Sequence, residues 1–252
     1  MITVEKIYNY INDIAPFDTQ LSWDNSGLLI GDFSNTVKKA AIALDGTYEN
    51  VTAAAELGAD LLITHHPIIF DGLKSVDSKS AVYAAIKNNL SVISTHTPWD
   101  ICDFGVNEVL CQSIGLKDVR SLSDNDGYLI KIGRTDKVYS EDEFARFVKG
   151  ALNVASVKYN KRAADIMTVA VCGGAGADFI ELAKSSGADA LLSADIKYHQ
   201  YLFASELGIT VFDAGHYGTE NISMSKLKSI IEENFGDIEV VLLDTSDPIE
   251  AV

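Results

Sequence analysis

Short apolar runs alternate with amphipathic stretches along most of the 252-residue chain. Near the N-terminus, Val4, Ile7, Ile11 and Ile14 recur at intervals of three or four residues, which is the period of one helix face. Thr3 precedes them, and threonine is a favoured N-cap because its hydroxyl accepts a backbone N–H of the first turn. The pattern therefore predicts an amphipathic helix that begins next to residue 4.

Further along the chain, short apolar runs predict buried strands at residues 40–44, 61–64, 91–95, 128–132, 154–159, 168–172, 190–192, 210–212 and 240–243. The stretches between them predict helices at residues 49–57, 80–87, 107–114, 178–186, 197–206 and 221–234. Another helix opens with the capping box Ser140-Glu141-Asp142-Glu143. Alternation of strands and helices on this scale indicates an α/β fold, with mostly parallel sheets flanked by helices.

The polar stretch at residues 121–127 is the best candidate for a joint between domains. It predicts a first α/β lobe at residues 1–124 and a second α/β lobe at residues 125–252. We expect the C-terminal helix of the second lobe to pack back on the first.

Composition and charge narrow the class of protein. Hydrophobic residues make up 47% of the chain and charged residues 22%, as in a soluble globular protein. The formal net charge of −16 opposes binding to nucleic acid or to a phosphate-rich membrane surface. The first residues do not resemble a signal peptide, and no apolar stretch is long enough to span a bilayer. Cys102, Cys111 and Cys172 form no C-x-x-C pair, which fits a reducing cytoplasm.

All five histidines lie just beyond predicted strands: His65 and His66, then His96 with Asp100, then His199, and then His216 with Glu220. Because the carboxyl ends of parallel strands share one edge of a sheet, side chains that are distant in sequence can converge there.

These residue types suit metal binding. Imidazole nitrogen and carboxylate oxygen are ligands for zinc, iron, manganese and nickel, whereas a site rich in histidine disfavours magnesium and calcium. Three histidines with two carboxylates exceed the protein ligands of a single catalytic zinc. They suit two divalent metal ions that share a carboxylate and activate a water molecule.

Each of these signals also has a purely structural interpretation. Adjacent histidines on a strand point to opposite faces, so His65 and His66 reach one site only if the chain turns at Pro67. The spacing of His216 and Glu220 is also that of a hydrogen bond in the first turn of a helix. His96 and Asp100 can form a polar pair in a loop, so all of these histidines can also be structural.

The glycine-rich segment at residues 172–178 joins a predicted strand to a predicted helix. Such a loop can hold a phosphate with its backbone N–H groups. The segment lacks the Gly-Lys-Ser/Thr ending of a Walker A loop and the full G-x-G-x-x-G fingerprint. A tight turn from strand to helix is therefore the alternative interpretation.

Several segments together resemble the NGG-interacting-factor-like proteins, also known as GTP cyclohydrolase I type 2 homologues. They are WDNSGLL at residues 23–29, ALD at 43–45, ADLLITHHPIIF at 59–70, THTPWD at 95–100, GVN at 105–107, CGGAG at 172–176, ADIKYH at 194–199 and DAGHYGTE at 213–220. The resemblance departs from the family at Pro98-Trp99 and at Ile101-Cys102-Asp103, where many relatives carry other residues.

The resemblance implies two metal ions in a cleft between the two lobes and a homo-oligomer, often a hexamer. The family's ligand motifs fall on His65, His66, Asp100, His216 and Glu220. His96 and His199 match motif positions near the metals and are candidates for proton transfer or for holding the metal ligands in place.

Three functions compete at this point. The leading hypothesis is a metal-dependent hydrolase that acts on a small nucleotide- or pterin-like substrate, with metal-activated water as the nucleophile and His96 or His199 moving protons. The second is a metal carrier that delivers iron or another divalent ion through the same ligands. The third is a non-enzymatic interaction scaffold with a relict site.

Overall fold

A computed structural model describes residues 1–124 and 127–251 of the chain. In these two ranges the helices are α1 (Val4–Ile14), α2 (Tyr48–Glu56), α3 (Ala81–Lys87), α4 (Thr97–Ile101), α5 (Val106–Ser113), α6 (Glu141–Ala151), α7 (Ile180–Ser185), α8 (Tyr198–Leu207), α9 (His216–Glu220) and α10 (Met224–Asn234). The strands are β1 (Gly27–Ile30), β2 (Lys39–Ala43), β3 (Leu61–Thr64), β4 (Ser91–Ser94), β5 (Lys117–Ser123), β6 (Leu129–Ser140), β7 (Lys158–Tyr159), β8 (Asp165–Ala175), β9 (Ala190–Ala194), β10 (Thr210–Asp213) and β11 (Glu239–Leu242).

The chain divides into two compact units. The first comprises Met1–Phe104 and Met224–Ser246, so α10 and β11 return to the N-terminal part of the chain. The second comprises Gly105–Ser223 and a short segment that begins at Asp247. The polar stretch at residues 121–127, predicted as a joint, lies within the second unit where β5 leads to β6, and Asn125 and Asp126 lie outside the described residues.

The sheet of the first unit has the strand order β1-β4-β3-β2-β11. The pairs β11–β2, β2–β3 and β3–β4 are parallel, and β1 adds to β4 antiparallel. The residues of β3 and β4 are buried throughout, as expected for parallel strands with helices on both faces. Ala43, Leu62 and Val92 on three neighbouring strands share one core with α2 and α3.

The sheet of the second unit has the order β5-β6-β8-β9-β10-β7 and is mixed. Among the described residues only the pairs β8–β9 and β9–β10 are parallel, whereas β5, β6 and β7 enter antiparallel. Phe144 and Phe212 meet edge to face in the core of this unit. The two-sheet α/β fold is thus confirmed, with four neighbouring parallel strands in the first unit and three in the second.

The strand β5 is absent from the predicted strands, because its sequence, KDVRSLS, carries almost no apolar pattern. It lies at the edge of its sheet and pairs with β6 through the backbone, while most of its side chains face solvent. A strand of this kind leaves no periodic signal in the sequence. The predicted strand at residues 154–159 shortens to β7, which spans only Lys158–Tyr159.

None of the helices in the described ranges is both long enough and apolar enough to cross a membrane.

The start of α6 shows how polar side chains fix the second unit. Ser140 and Glu143 form the predicted capping box. Glu141, which is buried, accepts hydrogen bonds from the backbone N–H groups of Arg162 and Ala163 and from the Thr210 hydroxyl. Burial raises the pKa of Glu141, but these hydrogen bonds outweigh it and leave the pKa below its ordinary value.

The two glutamates give a matched pair of variants. Glu141→Gln should lower the free energy of unfolding by about 1–3 kcal/mol, because the new amide group presents a donor to backbone N–H groups that need acceptors. Glu143→Gln should change it by less than about 0.5 kcal/mol, because glutamine also completes a capping box. Urea denaturation at pH 7 measures both, and equal losses would show that the buried carboxylate has no special role.

Candidate metal centre

The carboxyl ends of β2, β3 and β4 carry the candidate residues of the first unit. His65 and His66 follow β3 directly, His96 follows β4 by two residues, and Asp100 lies in α4. Ligand atoms of the three histidines lie within 4.8 Å of one another, and His65 Nε2 is 3.4 Å from Asp100 Oδ1. We call these four residues the first-unit cluster.

The adjacent histidines converge because the strand ends before them. Thr64 is the last residue of β3, and His65 and His66 lie in a bend where both backbone N–H groups donate to the Leu44 carbonyl. The two rings are 4.9 Å apart. The alternation of a strand therefore does not apply, and the turn expected at Pro67 begins two residues earlier.

The second unit repeats the arrangement at the ends of β9 and β10. Asp195 follows β9, and His216 begins α9 after β10. His216 Nε2 lies 3.1 Å from Glu220 Oε2, one helical turn further on. We call His216 and Glu220 the second-unit pair.

The Nδ1 atoms of the paired histidines in the first unit face acceptors. His65 Nδ1 lies 3.0 Å from the Thr95 carbonyl oxygen, and His66 Nδ1 lies 2.7 Å from Asp45 Oδ1. A carbonyl or carboxylate oxygen can only accept, so each Nδ1 carries the proton and donates. In the neutral ring Nε2 then carries the lone pair and is the atom that can bind a metal.

His96 is oriented by a carboxylate that accepts several hydrogen bonds. Asp24, whose side chain is fully buried, accepts from His96 Nδ1 at 2.8 Å, from the Thr97 N–H and hydroxyl, and from the Ser26 hydroxyl. The backbone N–H of Asn25 adds a further bond. Burial raises the pKa of Asp24. The hydrogen bonds, above all the one from His96, lower the pKa by more, so it lies well below its ordinary value. Asp24 is therefore ionised and holds the His96 ring in one tautomer.

His216 is oriented in the same way by Asp195, whose Oδ2 lies 2.7 Å from His216 Nδ1. Asp195 has a φ of +55°, a conformation uncommon for residues other than glycine. Asp213 fixes the loops on both sides, because it accepts the backbone N–H groups of Ile196 and Gly215. These hydrogen bonds together fix the orientation of the His216 imidazole.

Sequence reasoning did not assign a role to Asp24, Asp45 or Asp195. A metal-binding histidine usually donates its other ring N–H to a carboxylate or a carbonyl, which fixes the ring and raises its basicity. All three aspartates occur in the segments that carry the family resemblance, and each follows or precedes a strand. Aspartates near strand ends are therefore the sequence feature that indicates acceptors for the histidine N–H groups.

The glycine-rich segment makes room for the second-unit pair. Gly173 and Gly174 lie near the end of β8, and their N–H groups donate to Asn107 Oδ1 and Thr219 Oγ1. A Cβ on Gly174, where φ is +62°, would lie 2.1 Å from Glu220 Oε1. These two N–H groups already have protein acceptors, so they are not available to a phosphate. The interpretation as a phosphate-binding loop is therefore wrong for the N–H groups of Gly173 and Gly174.

His199 is placed differently from the other four histidines. It lies exposed in the first turn of α8, and within the described ranges it makes no hydrogen bond or ion pair. Its predicted part in proton transfer stays a prediction.

The donor set fits a divalent transition metal. His65 with Asp100, and His216 with Glu220, each bring an Nε2 lone pair and a carboxylate oxygen together within 3.4 Å. Two acceptors at this distance are stabilised by a cation between them. Imidazole and carboxylate are ligands for zinc, iron and manganese.

Comparisons with known proteins bear on the whole chain. A family model described as Duf34/NIF3 (NGG1p interacting factor 3) matches residues 2–248. A Clostridium perfringens protein named GTP cyclohydrolase 1 type 2 homolog is 30% identical, over 98% of this chain and 98% of its own. A Methanocaldococcus jannaschii protein of the same name is 33% identical, over 95% of this chain and 98% of its own.

Two solved structures share the fold. The Staphylococcus aureus protein SA1388 superposes with a TM-score of 0.94 at 26% identity and covers 99% of both chains. Reduced HcgD from Methanocaldococcus jannaschii gives a TM-score of 0.84 at 30% identity, over 97% of this chain and 98% of its own. The resemblance seen in the sequence segments is thereby confirmed, and the chain belongs to the Duf34/NIF3 (NGG1p interacting factor 3) family.

Proposed function

We propose that the protein is a metal-dependent hydrolase whose metal ligands are His65, His66, Asp100, His216 and Glu220. These residues would bind two divalent ions. The substrate would be small and nucleotide- or pterin-like, which follows the shared name of the relatives, GTP cyclohydrolase 1 type 2 homolog. A homo-oligomer, and a hexamer in particular, stays a prediction.

One observation carries the proposal: each histidine of the ligand set has its Nδ1 committed to an acceptor. For His65, His66 and His216 these acceptors lie at 3.0, 2.7 and 2.7 Å. Purely structural histidines need no such uniform choice of tautomer. Five ligands also exceed the three that a single catalytic zinc usually takes from the protein, which favours two ions with open positions.

Bound divalent ions supply Lewis acidity, which polarises a substrate oxygen and lowers the pKa of water. The protein's own contribution to proton transfer would come from His96. Its Nδ1–H donates to the ionised Asp24, so its Nε2 lone pair can accept a proton from the attacking water and return it to the leaving group. Asp24 prevents the ring from turning away and stabilises the imidazolium that forms.

The His96–Asp24 pair is what favours a hydrolase over a metal carrier. A carrier needs ligands that release the ion, and two of the proposed ligands, His66 and His216, are partly exposed. It has no use for an additional imidazole held by a buried carboxylate beside the ligand cluster. The pair is therefore the feature on which the two functions make different predictions.

Elemental analysis of the metal-loaded protein tests the ligand set. We expect about two metal ions per chain, with a reduced content in His65→Ala and Glu220→Ala because each removes one proposed ligand.

His96→Ala should retain the metal but lower kcat for GTP or a pterin substrate by about 10²–10⁴-fold, the usual contribution of a general acid–base.

His199→Ala is the matched control for His96→Ala, because it removes an exposed histidine and leaves the first-unit cluster intact. It should retain the metal and change turnover less. A metal content that is unchanged in His65→Ala and Glu220→Ala would contradict the ligand assignment. Rapid transfer of the metal to a chelator without turnover of any tested substrate would favour the carrier.

Gly174→Ala tests whether the glycine exists to make room for Glu220. The added Cβ would displace Glu220 Oε1 and also lie 3.1 Å from His216 Nε2, so we expect metal affinity to fall by about tenfold or more. Gly115→Ala is the control, because Gly115 has nearly the same φ, +65°, with nothing within 4 Å of the added atom. Both variants should lose stability by about 1–2 kcal/mol from the left-handed backbone.

Competition with a metal-binding dye measures both variants. Equal metal affinities would contradict the steric role assigned to Gly174.

A further inference from the structure

Two large aromatic side chains lie exposed next to His96. Trp23 is 54% exposed and Phe70 is 49% exposed, whereas Trp99, the other tryptophan of the chain, is completely buried. Single exposed apolar residues are common on protein surfaces. Two adjacent exposed aromatic rings form an apolar patch, and such patches often mark binding sites.

The two rings lie next to each other and next to His96. The centroids of Trp23 and Phe70 are 5.9 Å apart with an angle of 30° between their planes. Both stand nearly edge-on to His96, at centroid distances of 5.7 Å from Trp23 and 6.2 Å from Phe70. The aromatic pair therefore borders the first-unit cluster directly.

The two loops that carry the rings are fixed to each other. The Asn25 side chain donates to the Ile69 carbonyl oxygen at 2.6 Å, which ties the loop of Trp23 to the residue before Phe70. Asp24, next to Trp23, is buried and holds several hydrogen bonds. The backbone that carries both rings is thus held in place, which reduces the conformational entropy that a stacking ligand has to overcome.

We propose that Trp23 and Phe70 form an aromatic platform that stacks a planar heteroaromatic ring of the substrate beside the first-unit cluster. The inference rests on the proposed function for the site it serves, and it assigns to these two residues the recognition of the ring. A purine or a pterin has the required planar face. Its polar edge atoms and substituents would then lie close to His96.

Charge argues for a single ring rather than a nucleic acid strand. Stacking platforms that bind single strands combine aromatic residues with a positively charged groove. This chain has a formal net charge of −16, which opposes a chain of phosphates but tolerates one small ligand next to bound cations.

The experiment compares guanosine 5′-monophosphate with ribose 5-phosphate, which has the same sugar phosphate without the ring. Calorimetric titration of the metal-loaded protein should show that the nucleotide binds about tenfold more tightly or better, the usual effect of stacking one base. Trp23→Ala should reduce this ratio to below about threefold with the metal content unchanged, and Trp23→Phe should restore part of it. The fluorescence of Trp23 in the wild type should be quenched by the nucleotide only.

Tyr83→Ala is the matched control, because Tyr83 is also an exposed aromatic residue of the first unit and lies on α3. It should leave the ratio unchanged. Equal binding of the two probes to the wild type, or a ratio that survives Trp23→Ala, would overturn the platform. So would a loss of self-association in Trp23→Ala without any preference for the ring, because the rings would then contact a second protein chain.

The platform and the metal site fail in different ways. If the platform is wrong, the ratio of the two affinities approaches one while the metal content remains. If the metal site is wrong, the wild type holds no metal and binds ribose 5-phosphate only weakly. Guanosine 5′-monophosphate still binds more tightly than ribose 5-phosphate in that case.

Discussion

Each histidine of the first-unit cluster and of the second-unit pair donates a hydrogen bond from Nδ1 to an oxygen on a neighbouring segment, and the rest of the site depends on this interaction. The acceptor is a backbone carbonyl for His65 and an aspartate for His66, His96 and His216. The hydrogen bond fixes both the rotation of the ring and its tautomer. The Nε2 lone pairs are therefore aimed before any metal arrives, and binding does not have to order the rings.

The backbone supplies the places from which these groups are aimed. Four neighbouring parallel strands of the first unit end at one edge, as do three of the second. The histidines of the two clusters, Asp45, Asp195 and Gly174 lie at or just beyond those ends, whereas Asp24 precedes β1, whose start pairs antiparallel with the end of β4. Asp24 in the first unit and Asp213 in the second are buried carboxylates that fix the connecting loops through backbone N–H groups. Gly174 completes the arrangement by its lack of a side chain, because any Cβ would collide with Glu220.

Much of this could be predicted from the sequence because parallel strands have a simple rule. The run at residues 61–64 is β3 as predicted, and its carboxyl end explains why His65 and His66 lie near His96, which is 30 residues away. The capping box at Ser140 is a local motif and is confirmed for the same reason: all of its atoms lie within one helical turn. The family was identified from segments whose order along the chain is specific.

The rest depends on partners that are far apart in sequence. Asp24 is 72 residues from His96, and Asp195 is 21 residues from His216, so no local spacing reveals either pair. The glycine-rich segment was open to two interpretations because the reason for Gly174 is the position of Glu220, which belongs to another helix. The contact of Trp23 with Phe70 likewise follows from a hydrogen bond between two loops, and neither loop has a periodic pattern.

Anomalous X-ray diffraction at the absorption edge of the bound metal locates the ions and their ligands. Crystals of the metal-loaded protein should show two anomalous peaks per chain, about 3.5–4 Å apart. His65, His66 and His216 should coordinate through Nε2 while each Nδ1 keeps the acceptor described here. Coordination through Nδ1 with the rings turned over, or a single peak away from Asp100 and Glu220, would contradict the account.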